Sequence, residues 1–212
     1  MAATEGSNEY SVLYAQHREG GVSVGDFDPS VLKRKYLLSR GVSRISEWPR
    51  DVVLEPHAAE LRIPSGARLD DCIDTLTNMF VVNARFRDLV MRHCGPELIE
   101  FLPIGIRPRR RAKVVHGYFV ANPLRLLAAV DWSGSDVDRD RVDEKTISVV
   151  RKLAFLPEVV ASGPMLFRIA ELPWFIAVRR PLAEAIANET LSGIALRALE
   201  DFPTTSLGVP ED

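Results

Sequence analysis

The sequence predicts an α+β fold: a largely antiparallel sheet with several packed helices and a loop-rich N-terminal lobe. Two runs rich in β-branched and aromatic residues, Leu98-Ile-Glu-Phe-Leu-Pro-Ile-Gly-Ile106 and Val114-Val-His-Gly-Tyr-Phe-Val-Ala121, flank a short basic segment and read as a β-hairpin. Helical and strand-like segments are interspersed without regular alternation, and the strand connections look like hairpins rather than long crossovers. With 212 residues and 46% hydrophobic content, the chain can bury a core as one large domain or as a domain with a smaller lobe.

In order along the chain, 1–9 is low in apolar content and is expected to be flexible. Tyr10-Ser-Val-Leu-Tyr-Ala15 is a short strand, ended by a turn at Glu19-Gly20-Gly21. Gly20-Gly-Val-Ser-Val-Gly25 imitates a phosphate loop but lacks the Lys-Ser/Thr ending and a following helix, so it reads as a turn and short strand. A helix is expected within 29–39, a chain break at Trp48-Pro49 and a short strand over 51–55. Pro56, Pro64 and Gly66 punctuate the stretch after that strand, so 10–66 is assigned to the N-terminal lobe and 67–200 to the α+β core.

Leu69, Cys72, Ile73, Leu76, Met79 and Phe80 recur at helical spacing, with Asp70, Asp71 and Asp74 near the start, which predicts a helix over 69–80. After the extended pair Val81-Val82, Asn83 caps a second helix whose inward face is Phe86, Leu89, Val90 and His93, stopped by Gly95-Pro96. The hairpin comes next, then Asn122-Pro123, a leucine-rich segment and an acidic loop opened by Val130-Asp131-Trp132-Ser133. Residues 147–155 read as a strand or a short helix, with the β-branched start favouring the strand, and turns are expected at Leu156-Pro157 and Ser162-Gly163-Pro164. A second hairpin pairs 165–169 with 174–178 around Leu172-Pro173, a helix starts at Pro181, and a closing strand covers 194–199 after Ser192-Gly193. The tail 201–212, rich in Pro, Thr and Gly, is expected to be flexible.

The formal charge of −2 gives no whole-molecule field favouring nucleic acid or a membrane surface. Cys72 and Cys94 fall on apolar stripes, as buried free thiols do, which suits a reducing cytoplasm. The first ten residues lack a basic region followed by an apolar run, and no uncharged stretch is long enough to span a bilayer. A cytoplasmic protein that is neither exported by the Sec route nor inserted in a membrane is therefore expected.

The acidic loop gathers Asp131, Asp136, Asp138, Asp140, Asp143 and Glu144. Asp136-x-Asp138-x-Asp140 matches the start of a calcium loop, but Arg141 stands where glycine is required and Ile147 where a bidentate glutamate belongs. Interleaved Arg139 and Arg141 make internal ion pairs the simple structural reading. A basic protein surface is the partner the loop would suit, with Asp131, Trp132, Asp136, Asp138, Asp140 and Asp143 as contacts. Arg107-Pro-Arg-Arg-Arg-Ala-Lys113 at the hairpin tip has charge for phosphates but no aromatic side chain for base stacking. Arg109, Arg110 and Arg111 are second candidates for partner contact. His17, His57, His93 and His116 are too dispersed for a metal site, Glu97 and Glu100 are not distinguished as an acid-base pair, and no nucleophile context occurs. No cofactor, metal or catalytic residue is expected.

Several segments together resemble the family-eleven immunity proteins of bacterial polymorphic toxin systems. They are Phe80-Val-Val-Asn-Ala84 with the Phe86/Leu89 helix, Glu100-Phe-Leu-Pro-Ile104, Tyr118-Phe-Val-Ala-Asn122, and Val130-Asp131-Trp132 with Ser135. Met165-Leu-Phe-Arg-Ile169, 174–179, the Pro181 helix and Leu191-Ser-Gly-Ile194 resemble that family's late strand, closing strand, helix and small-residue turn. The basic tip and the run of aspartates are not part of the family pattern.

The resemblance implies a non-enzymatic antitoxin of bacterial competition, which binds a cognate toxin domain encoded by a neighbouring gene and neutralises it by protein–protein contact. It brings no catalytic residues. Segments peculiar to one member are natural places for partner discrimination. The alternatives are a hydrolase or transferase whose carboxylates assemble only in the fold, and a nucleic-acid-binding module using the 107–113 tip; nucleic acid is the less favoured partner.

Overall fold

In chain order the strands and helices are β1 (Tyr10–Ala15), β2 (Val53–Leu54), β3 (Cys72–Ile73), β4 (Val81–Asn83), α1 (Ala84–His93), β5 (Ile99–Ile106), β6 (Val115–Pro123), β7 (Leu126–Leu127), β8 (Asp136–Arg139), β9 (Ile147–Lys152), α2 (Pro157–Ser162), β10 (Leu166–Ile169), β11 (Leu172–Arg179), α3 (Arg180–Asn188) and β12 (Ile194–Ala198). Short 3-10 helices occupy Lys35–Arg40, Ile45–Glu47 and Leu199–Asp201. The structure is a computed structural model that describes residues 9–16, 33–54, 69–73, 75, 79–108 and 112–202.

The strands form two five-stranded sheets, ordered β12-β1-β11-β10-β7 and β2-β5-β6-β4-β3, with β8 and β9 as a separate hairpin. Pairing is antiparallel except where β7 joins β10 and β2 joins β5. The predicted hairpin is the centre of the second sheet, with Glu100 opposite Asn122 and Leu102 opposite Val120.

Both sheets are covered on both faces, which is why their strands read as nearly continuous apolar runs. Alternate residues of one strand enter different cores. Leu13, Leu166, Ile176 and Val178 of the first sheet meet Val82, Ile99 and Ala121 of the second, with Phe86 and Leu89 of α1 and Leu182 and Ile186 of α3. On the far face of the first sheet, Tyr10, Val12, Phe167 and Ala177 pack with Ile147, Val150, Phe155 and Val159. On the far face of the second, Leu54, Leu102, Ile104 and Val120 pack with Leu38 and Val52.

α1 follows its sequence signals. Asn83 Oδ1 accepts from the Phe86 N–H at 3.2 Å, a cap worth about 1 kcal/mol, and Phe86, Leu89 and Val90 are buried. α3 starts with Pro181 in its first turn and buries Leu182, Ala183 and Ile186.

Strands dominate, and the described residues hold three α-helices, so the predicted abundance of packed helices is corrected. The helix expected over 69–80 is replaced, in its described part, by β3 and a bridge at Thr75. Cys72 and Ile73 enter opposite cores, the alternation of a strand, and Thr75 Oγ1 accepts from the Met79 N–H at 2.9 Å. Only 33–39 of the helix expected within 29–39 is described, and there a 3-10 helix, Lys35–Arg40, follows left-handed Arg34. Residues 17–32, which include the Gly20–Gly25 turn, lie outside the described residues.

The late hairpin turns at 170–171 instead of Leu172-Pro173. Pro173 sits in a bulge of β11, where its missing N–H breaks no ladder bond. α2 occupies a stretch read as turns, and β7 the leucine-rich segment. No helix of the described residues is long and apolar enough to cross a membrane.

Candidate partner-binding surfaces

The stretch read as an acidic loop is the β8–β9 hairpin with a folded approach. Asp131 Oδ1 accepts from the Ser133 N–H at 2.9 Å and the Ser133 hydroxyl at 2.6 Å. The Ser133 hydroxyl, with the Ser133 and Gly134 N–H groups, holds the Asp131 carboxyl below the usual carboxylate range. Ser135 Oγ accepts from the Ala154 N–H at 2.9 Å and donates to its carbonyl at 3.2 Å, tying the approach to the end of β9.

On the hairpin's surface Arg151 clamps two carboxylates: its Nε reaches Asp136 at 2.8 Å and its Nη2 reaches Asp138 at 2.6 Å. The Arg151 hydrogen bond lowers the Asp138 pKa, and the Asp138 and Asp136 bonds raise that of Arg151. Arg139 lies 4.0 Å over the Trp132 ring and donates to the Glu144 carbonyl at 2.9 Å.

The tip is fastened from within. Asp140 Oδ1 accepts from the Val142 N–H at 2.7 Å and the Asp143 N–H at 3.0 Å, and these bonds lower its pKa. The Asp143 carboxylate accepts from the Lys145 N–H at 3.1 Å. Val142 stands at the apex of this turn with 97% of its surface exposed.

Asp131 and Trp132 in the approach and Asp136, Asp138, Asp140 and Asp143 in the hairpin thus belong to one unit, but its charge is mixed. Arg139, Arg141, Lys145, Arg151 and Lys152 accompany the six carboxylates of 131–152. Arg109, Arg110 and Arg111 lie outside the described residues. Arg107, just past the end of β5, donates to the Ala112 carbonyl at 2.7 Å.

Two buried polar junctions were not distinguished in the sequence. Glu100 Oε1 accepts from the Arg44 N–H and from the Asn122 amide, each at 2.8 Å, while Oε2 accepts from the Ser43 hydroxyl at 2.7 Å. Asn122 also donates to the Val42 carbonyl at 3.1 Å, so this pair fastens 42–44 to the second sheet. At the other junction Asp71 accepts from the Asn83 amide at 2.7 Å and the Ser192 N–H at 2.8 Å. Both junctions use residues of the segments that carried the family resemblance, with long-range partners that only the fold brings near.

Asp71, Asp131, Asp138 and Asp140, the described carboxylates with displaced pKa values, are all displaced downward. Among the described residues, no three of His, Cys, Asp and Glu are arranged to hold a metal ion.

A comparison with protein families matches residues 11–201 to the model described as "Immunity protein family (Imm11)". No curated protein matches the chain.

Proposed function

The chain belongs to the Imm11 immunity protein family, and on that premise we propose that it binds a cognate toxin domain and neutralises it by direct contact in the cytoplasm of the producing cell. The toxin is encoded beside it, as part of a polymorphic toxin system used in bacterial competition. The β8–β9 hairpin is one contact, with Asp131, Trp132, Asp136, Asp138, Asp140 and Asp143 framing it; Arg109, Arg110 and Arg111, between β5 and β6 in the sequence, are a second.

The observation that carries the hairpin assignment is its apex. Val142 is almost fully exposed on a turn whose backbone is fixed by the Asp140 carboxylate. A rigid loop presenting an apolar side chain loses little further freedom on docking, so more of its contact energy appears as affinity. The Trp132–Arg139 stack provides an aromatic and an arginine beside it, residue types enriched where interfaces carry most of their energy.

Val142→Asp is the cleanest probe, because reversing Asp136, Asp138 or Asp140 would also break the Arg151 clamp or the tip turn. In a binding titration against the purified toxin domain, the substitution is expected to raise Kd about tenfold or more while leaving the thermal midpoint unchanged. Unaltered affinity would remove the hairpin from the interface.

A further inference from the structure

Resting on the toxin-binding reading, we propose a second docking face, formed by Tyr36, Val42, Leu126 and Trp174, that takes an apolar surface of the toxin edged with carboxylates.

Four of the described large apolar residues with substantial exposure lie on three neighbouring segments of the chain: Tyr36 is 53% exposed, Val42 42%, Leu126 44% and Trp174 47%. The Glu100–Asn122 junction fixes Val42 beside the end of β6. Gly41 lies so close to the second sheet that a Cβ there would be 3.0 Å from the Pro123 carbonyl oxygen and 3.1 Å from that of Leu124. Two residues further on, Leu126 stands opposite Arg168 in the parallel β7–β10 pairing. Arg168 donates to the carbonyl of Pro173, the neighbour of Trp174, at 2.8 Å, and the 3-10 turn bearing Tyr36 packs beside β11. Large exposed apolar patches with aromatic members mark interaction sites.

Charge selects the partner. Arg40 lies over the Tyr36 ring at 5.8 Å, Arg125 precedes Leu126, and Lys33 and Arg34 precede the 3-10 turn; none of the four forms an ion pair among the described residues. Beneath the face, Arg168 is 5% exposed, and its Nε is buried without a hydrogen-bond partner. Burial brings its pKa down to about 10, which still leaves it charged at neutral pH. A second copy of this chain would bring cations against cations, whereas a toxin surface bearing carboxylates around apolar residues complements both features.

The test is a binding titration against the C-terminal domain of the neighbouring gene's product, using wild type, Tyr36→Ala, Trp174→Ala and, as an exposed apolar control on α1, Met91→Ala. With folding checked by thermal melts, Trp174→Ala is expected to raise Kd about 30-fold and Tyr36→Ala at least about tenfold, with Met91→Ala indistinguishable from wild type. Arg125→Glu is expected to slow association and reduce its salt dependence. Folded Trp174→Ala and Tyr36→Ala proteins that both bind within tenfold of wild type would overturn this face while leaving toxin binding intact. Failure of the wild type to bind would overturn the functional reading with it. A wild-type dimer that Trp174→Asp converts to monomer with toxin affinity retained would assign the face to self-association and overturn the proposal.

Discussion

Replacing Gly193 with alanine is expected to lower the thermal midpoint by about 10 °C or to prevent folding. Gly193 has φ +73°, and a Cβ there would run into the backbone carbonyl oxygen of Cys72 and lie 3.0 Å from the Cβ of Asp70. Because the opposing atom is backbone, relief requires moving β3 or the turn. At about 3 kcal/mol or more, and about 2 to 4 °C per kcal/mol for a chain of this size, the loss is large. Gly117→Ala provides the control: Gly117 also has positive φ, at +90°, but nothing lies within 4 Å of a Cβ there. It should show only the conformational penalty of about 1 to 2 kcal/mol. Equal losses for the two variants would refute the close approach at Gly193.

The same junction has a pH signature. Burial raises the Asp71 pKa, but the Ser192 N–H, the Asn83 amide, the Ser192 hydroxyl and Arg85 together outweigh it, and the net displacement is downward. A carboxyl with a folded pKa below its unfolded value stabilises the fold fully above the unfolded value and loses that contribution as pH falls through the folded one. Asp71→Asn should therefore narrow the stability difference between neutral and strongly acid solution. An unchanged acid limb in denaturant titrations at pH 2 to 7, a range of about five units around the reference value, would contradict this.

Glu100→Ala should be comparably damaging. The carboxylate is 7% exposed and satisfies the Arg44 N–H, the Ser43 hydroxyl and the Asn122 amide. Its removal leaves the buried Arg44 N–H unpaired and the Asn122 amide short of an acceptor, at about 1 to 3 kcal/mol each, and weakens the hold of 42–44 on the second sheet. Urea unfolding should show a loss of about 3 kcal/mol, with faster amide exchange at Arg44. A loss under about 1 kcal/mol would mean that this junction does not hold the segment.

The elements legible in the sequence are those whose signals are local. Asn83 with Phe86, Leu89 and Val90 specifies α1, and the two β-branched runs specify β5 and β6 without reference to anything distant. β3 is not legible in this way because two paired residues are too few to show a period, and only β4 and Ser192 explain why Cys72 is extended. β8 is hidden because its acids read as a loop until Arg151, thirteen residues beyond Asp138, is seen across the ladder.

Surfaces are harder to read than strands. Trp174 lies in an apolar run that reads as a strand, and its exposure goes with the β11 bulge, while the exposure of Val142 follows from the tip turn. Glu100 and Asn122 lie in segments that carried the family resemblance, but their function as a fastening depends on cross-strand register and on 42–44.

Direct neutralisation is tested most simply by growth of cells expressing the neighbouring gene's C-terminal domain, with and without this protein. The expected result is arrest by that domain alone, growth restored by the wild-type protein, and rescue lost when Val142→Asp is combined with Trp174→Ala. Arrest that the wild-type protein, produced in excess, fails to relieve would contradict the account.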